Sequence, residues 1–314
     1  MKILVLGGSG FFGKSFVDYF QRNIFKKEES PELILASRNI SNIKSLVDPK
    51  YLNKKLFLEE IDVTSCSSIP ECDLVIHAAT STSIKDYLID PELEKKIIIT
   101  GAENIIKKIN KNMNFIYVSS GAIYGKQYNI DICYKENEKS KVKGLSDVKL
   151  LYANAKIEAE NTIISYSKKN SINSAIARCY AFVGKYLPLD THFYVGNMIH
   201  SILRKNKFNI KATNSVYRSY MHADDLIRSL LFIKDHTNSK SEIFNIGSND
   251  AIELHKLAKI FSNEYKFEIS GYQDSDKNLE ADIYIPNIDK LLSKGFKLNY
   301  NTYESIKSVI ETLK

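Results

Sequence analysis

Short, continuous apolar runs alternate with longer stretches in which apolar positions recur every three or four residues. Lys2-Ile3-Leu4-Val5-Leu6 is the first run. Leu33 to Ala36, Leu56 to Leu58, Leu74 to Ile76, Phe115 to Val118 and Ala175 to Ala177 follow, with Leu56 to Leu58 the weakest. Each has the length of a strand. Unbroken apolar character, rather than strict alternation, predicts burial on both faces. Phe16 to Phe25 and Leu93 to Ile109 carry the helical period between them. Strand, helix, strand at this spacing predicts an α/β fold with a doubly wound parallel sheet. Beyond Cys179 the pattern becomes irregular, as expected of a smaller C-terminal α/β lobe that completes a cleft. Phe244-Asn245-Ile246-Gly247 reads as a strand end opening a loop, and the charged stretch Lys135 to Lys143 reads as an exposed loop.

Composition narrows the classes. The chain has 314 residues and 44% hydrophobic content, enough for a sizeable core. The formal net charge of +7 comes from lysine scattered along helical patterns. No dense basic block with interleaved aromatics occurs, so no nucleic-acid partner is expected. No apolar run approaches the roughly 20 residues that span a bilayer. The N-terminus, a strand entering a glycine loop, lacks signal-peptide order. The four cysteines, Cys66, Cys72, Cys133 and Cys179, form no CxxC pair and have no His cluster beside them. They are read as reduced residues of a cytoplasmic protein, and no metal site is expected.

The most informative stretch is Gly7-Gly8-Ser9-Gly10-Phe11-Phe12-Gly13, set between the first strand and the first helix. In that context glycines permit a tight turn, a close approach of backbone to a pyrophosphate and close helix–strand packing. The helix N-terminus adds amide donors and the positive end of a dipole.

With its G-x-x-G-x-x-G spacing, the chain resembles the extended short-chain dehydrogenase/reductases, the family of sugar-nucleotide epimerases, dehydratases and reductases. Further landmarks agree in order: Asp62-Val63, His77-Ala78-Ala79, Ser119-Ser120-Gly121-Ala122-Ile123-Tyr124-Gly125, Tyr152-Ala153-Asn154-Ala155-Lys156, Arg178 with Gly184, Arg218 to Asp225, and Asn245-Ile246-Gly247. The match runs over essentially the whole chain. It implies a Rossmann domain over residues 1–177, with a returning segment near 216–247, and a substrate-binding lobe mainly over 178–314.

Tyr152 and Lys156 are four residues apart and share one face of a helix. A phenol must fall about 3 pH units, roughly 4 kcal/mol, from its ordinary pKa near 10 to act as a base near neutrality. A neighbouring ammonium is the right kind of perturbation. The resemblance therefore implies Tyr152 as general acid/base, Ser120 as the hydroxyl that orients the reacting oxygen, and Lys156 as a support for the phenol and the nicotinamide ribose. It also implies cofactor contacts at Gly7, Ser9, Gly10, Phe11, Phe12, Gly13, Ser37, Arg38, Asp62, Val63, Ala78, Ala79 and Thr80. Substrate contacts are expected at Ser81, Ser120, His192, Asn197 and Arg218, with Arg218 on a diphosphate. Arg178 is expected to anchor the lobe junction and His222 to pack.

Two stretches sharpen the reading, and one residue departs from the family's pattern. The second strand ends Ala36-Ser37-Arg38-Asn39, with no carboxylate for a ribose 2′-hydroxyl, so NADP is favoured over NAD. Gly121 and Ala122 stand where the family's 4,6-dehydratases carry an Asp-Glu pair, which argues against dehydration by that route. Ala181 replaces an Asn common in the family. The expected activity is hydride transfer at a carbon of a nucleoside-diphosphate sugar, C4 foremost, serving surface-polysaccharide synthesis in a homodimer. The alternatives are a 4,6-dehydratase with atypical acid/base residues and a non-catalytic dinucleotide-binding scaffold.

Overall fold

The structure is a computed structural model that describes residues 1–80, 88–140, 142–191, 193–271 and 279–314. Seven parallel strands form its central sheet: β1 (Lys2–Leu6), β2 (Glu32–Ser37), β3 (Leu56–Glu60), β4 (Leu74–His77), β5 (Asn114–Ser120), β6 (Asn173–Cys179) and β7 (Glu242–Ile246). Their spatial order is β7-β6-β5-β4-β1-β2-β3. The order reverses about β1, which places a crevice at the carboxyl ends of β1 and β4.

The apolar runs fill both faces of this sheet. Ile3 and Val5 face one core with Phe16, Val17, Leu226 and Leu230, whereas Leu4 and Leu6 face the other with Ile98, Ile105, Ala155 and Ile163. Helices Phe11–Tyr19 and Ala223–Ile233 thus cover one side, and Pro91–Ile106 and Asp147–Asn170 the other. β3 is an edge strand with partly exposed residues, which explains its weak apolar signature. A third core, including Val183, Met198, Leu257 and Ile306, belongs to the C-terminal lobe.

Two expectations need correction. The first helix begins at Phe11, five residues before the apolar period becomes visible, because the glycine loop delivers the chain directly into it. It then widens into a π-helical turn over Phe20–Ile24. The loop Lys135 to Lys143 is not wholly solvated: the Glu136 carboxylate accepts from the Asn245 amide at 3.0 Å, and its carbonyl accepts from Arg178 at 3.0 Å. Among the described residues no helix is long and apolar enough to cross a membrane, and no group of three or more potential metal ligands occurs.

Candidate active site

The glycine loop lies at the carboxyl end of β1. Gly7 has φ +98°, and a Cβ there would sit 2.6 Å from the Ala78 carbonyl oxygen, so only glycine fits between the ends of β1 and β4. The Gly7 and Gly8 amides donate to Ala36 O at 2.9 and 2.8 Å. Gly10 is the N-cap and makes no side-chain cap bond, so the amides of the first turn of Phe11–Tyr19 have no side-chain acceptor at the cap. Phe12 packs edge-on to Phe182 at 5.8 Å, and Phe11 lies along Gly184. Gly13 packs against Gly8. This cradle suits a pyrophosphate on a helix N-terminus.

At the end of β2, the Ser37 hydroxyl donates to Ser9 Oγ at 2.9 Å and receives the Asn39 amide at 3.2 Å. Ser37 is buried and shapes the turn. Arg38 is exposed, and its positive charge reaches Asp62. Asp62 accepts from the Thr64 hydroxyl at 2.7 Å and amide at 2.9 Å. Those bonds, aided by Arg38, hold its carboxyl below the ordinary range. Val63 is buried, and its carbonyl accepts from the Asn104 side-chain amide at 2.9 Å. The Ala78 amide donates to Leu6 O, and the Ala79 amide lies 3.4 Å from His77 Nδ1.

The reacting groups come from β5 and the helix Asp147–Asn170. Ser120 ends β5 and N-caps the 3₁₀ turn Gly121–Tyr124, accepting from the Ala122 amide at 3.2 Å. Its hydroxyl is hydrogen-bonded with Tyr152 and also with Tyr284. Lys156 stands one turn beyond Tyr152, with Nζ 5.8 Å from the Tyr152 ring centroid. Lys156 is buried and donates to Thr80 Oγ1 at 3.1 Å and Val118 O at 2.9 Å. Burial brings its pKa down to about 7. Burial and the nearby Tyr284 push the Tyr152 phenol above its ordinary value. In the protein alone Tyr152 is therefore a proton donor, and the ammonium does not by itself make it a base.

One turn further on, Glu160 ties this helix to the sheet. Its carboxylate accepts from the Ser119 hydroxyl and pairs with Arg178 at 2.8 Å. Arg178 also donates to the Tyr124 hydroxyl at 2.8 Å, and Tyr124 donates to the Asn245 side chain at 2.9 Å. Arg178 is thus an internal anchor, not a ligand on the cleft wall.

The expected substrate residues are spread over the C-terminal lobe. Asn197, near the start of helix Tyr194–Arg204, donates to Thr191 O at 2.9 Å. Arg218 ends the short strand Val216–Arg218 and pairs with Asp282 at 2.8 Å, besides donating to the Tyr217 and Asp282 carbonyls. Ser81 and His192 lie outside the described residues. His222 caps Ala223–Ile233, its Nδ1 accepting from the Asp224 amide at 3.1 Å. Glu160 went unread in the sequence, as did two residues that touch the predicted motifs. Asn104 braces the Asp62-Val63 turn, and Tyr284 reaches Ser120 from the short strand Asp282–Tyr284, paired with the strand Val216–Arg218. Neither sits in a local motif that would announce it.

The family model for the NAD dependent epimerase/dehydratase family matches residues 3–247. A UDP-glucose 4-epimerase from Mycoplasma genitalium is 25% identical over 290 residues, covering 82% of this chain and 80% of the relative. Among solved structures, UDP-glucuronic acid 4-epimerase from Bacillus cereus, in complex with UDP-glucuronic acid and NAD, superposes with a TM-score of 0.78 at 17% identity over the full length of both chains. The dTDP-glucose 4,6-dehydratase of Bacillus anthracis, in complex with NAD, gives 0.76 at 16% identity over 99% of this chain and 96% of its own. These likenesses show the fold.

Proposed function

The chain belongs to the NAD dependent epimerase/dehydratase family, and from that premise we propose that it is an epimerase or ketoreductase that moves hydride at C4 of a nucleoside-diphosphate sugar. The observation that carries this reading is the meeting of Ser120, Tyr152 and Lys156 beside the glycine loop. A product used in surface polysaccharide and a homodimer belong to the same proposal, as the sequence resemblance implies.

The cradle fits a nicotinamide dinucleotide, which when bound supplies reversible hydride exchange. Gly7, Gly10 and the first amides of Phe11–Tyr19 would hold its pyrophosphate. Asp62 and Val63 would border the adenine, and Lys156 the nicotinamide ribose. We propose NAD as the cofactor in place of the NADP drawn from Ser37 and Arg38. Ser37 is spent on Ser9 and the Asn39 turn, and Arg38 faces Asp62, whose negative charge would oppose a 2′-phosphate. The NAD-bound neighbours support the same choice.

In the reaction Tyr152 holds the proton at the sugar C4 oxygen and Ser120 orients that oxygen. Burial holds Tyr152 in its protonated form, and to release that proton or to act as a base it requires added positive charge within the site. Dehydration is the weaker reading, because Gly121 and Ala122 carry no group that transfers a proton. In the test, Tyr152→Phe is assayed on a panel of UDP- and dTDP-sugars, and the dinucleotide released by denatured wild type is identified. A loss of turnover of 100-fold or more with dinucleotide binding intact, and release of NAD, is expected. Normal turnover of Tyr152→Phe would refute the assignment. Release of NADP would return the cofactor reading to Arg38, and a 4-keto-6-deoxy product would establish dehydration.

A further inference from the structure

The surroundings of Lys156 hold a residue that no motif marks. Tyr117, from the middle of β5, is 1% exposed. Its hydroxyl accepts from Lys156 Nζ at 3.3 Å, and Nζ stands 4.8 Å from the centroid of its ring. The ring meets His77 of β4 edge-on at 5.5 Å. One side chain thus offers the ammonium both an oxygen lone pair and an aromatic face.

An ammonium carried out of water loses several kcal/mol of hydration unless it is recompensed. Among the described residues, the other titratable groups facing Lys156 give little. His77 is neutral, burial holding its pKa at about 3. Cys179, at the end of β6, acts to raise the lysine pKa, but burial keeps its own thiol protonated. Tyr152, on the same helix, is likewise a neutral phenol. Glu160, also on that helix, raises the lysine pKa, but its carboxylate is already engaged by Arg178 and Ser119. Thr80 and the Val118 carbonyl supply dipoles only. Of the two aromatic rings near Nζ, Tyr117 is the nearer, at 4.8 Å against 5.8 Å for Tyr152, and a desolvated cation is stabilised by such a ring.

We infer that Tyr117 is a positioning residue, whose hydroxyl and ring face seat the Lys156 ammonium beneath Tyr152 and keep it charged in a dry site. For its catalytic consequence this rests on the function proposed above. The seating itself can be measured without turnover.

The probe is the cofactor-free, full-length protein labelled with ¹³C at lysine Cε. The Cε shift of Lys156, identified by its disappearance in Lys156→Met, is followed against pH. A midpoint near 7 is expected in the wild type. Tyr117→Leu removes hydroxyl and ring together and should lower it by about one pH unit, a tenfold loss of proton affinity. Tyr117→Phe keeps the ring and should lower it less. Tyr117→Met fills more of the space and decides the matter if Tyr117→Leu does not fold. An unmoved midpoint in whichever of these two folds overturns the inference. The two readings fail separately. An unmoved midpoint alongside an inactive Tyr152→Phe removes only the role of Tyr117, and normal turnover of Tyr152→Phe removes only the proposed chemistry.

Discussion

Removing the guanidinium of Arg178 tests whether one buried ion pair holds the reacting groups in register. The Arg178 and Glu160 side chains are 7% and 4% exposed, with Nη2 and Oε2 2.8 Å apart. Nε lies 3.2 Å from both carboxylate oxygens. In Arg178→Met the Glu160 carboxylate would keep Ser119 as its hydrogen-bond partner among the described residues, and the Glu136 carbonyl would lose its donor. Stripping one member from a buried pair costs about 3–5 kcal/mol, because the other charge stays buried and uncompensated. Arg178→Met with Glu160→Leu leaves no orphaned charge and should cost clearly less than the two single losses added together. Urea unfolding of wild type, both single variants and the double variant closes the cycle. A coupling of at least about 2 kcal/mol is expected. A loss of less than about 1 kcal/mol in Arg178→Met, or single losses that add to within about 0.5 kcal/mol, would show that the ion pair does not hold these groups in register. The folded double variant has a further use. Ser119 precedes Ser120, and Glu160 shares a helix with Tyr152 and Lys156, so its kcat should fall more than its KM rises.

Two further outcomes follow from charges elsewhere. His77 is held at about 3 by burial, against about 6.5 when unfolded. Its contribution is fully present above pH 6.5. As the pH falls from there toward 3, the unfolded chain takes a proton that the folded one refuses, and stability drops by up to about 1.4 kcal/mol per pH unit. Equilibrium denaturation of His77→Leu between pH 6.5 and 4 should give a shallower slope than the wild type, and parallel slopes would dismiss the idea. Asp282 occupies the guanidinium of Arg218 through a partly exposed pair. Asp282→Ala should free that arginine and tighten UDP binding up to about fivefold, in keeping with the roughly 1 kcal/mol such pairs are worth. Calorimetry showing equal or weaker affinity would remove Arg218 from the nucleotide site.

What could be read along the chain was whatever local spacing encodes. Continuous apolar runs marked the strands because both faces of a covered parallel sheet are dry. The glycine loop and the four-residue interval from Tyr152 to Lys156 were visible because a tight turn and one helix face are short-range geometries. Tyr284, Tyr117 and the Glu160–Arg178 pair were hidden, since their roles arise only when separate elements pack together. Gly121 shows the difference most plainly. By sequence it is an absence, a place where the dehydratases of the family carry a carboxylate. In the fold its α-carbon faces the ring of Tyr180, and a Cβ would lie 2.5 Å from two of the ring carbons. That ring is itself backed by Tyr284 at 4.6 Å between centroids. An aspartate at 121 would first have to displace an aromatic pair that packs beside Ser120. Overpacking of that kind costs about 1–3 kcal/mol before any proton is transferred. The case against dehydration therefore rests on packing around the site as well as on a missing carboxylate, and a single Gly121→Asp exchange does not reverse it.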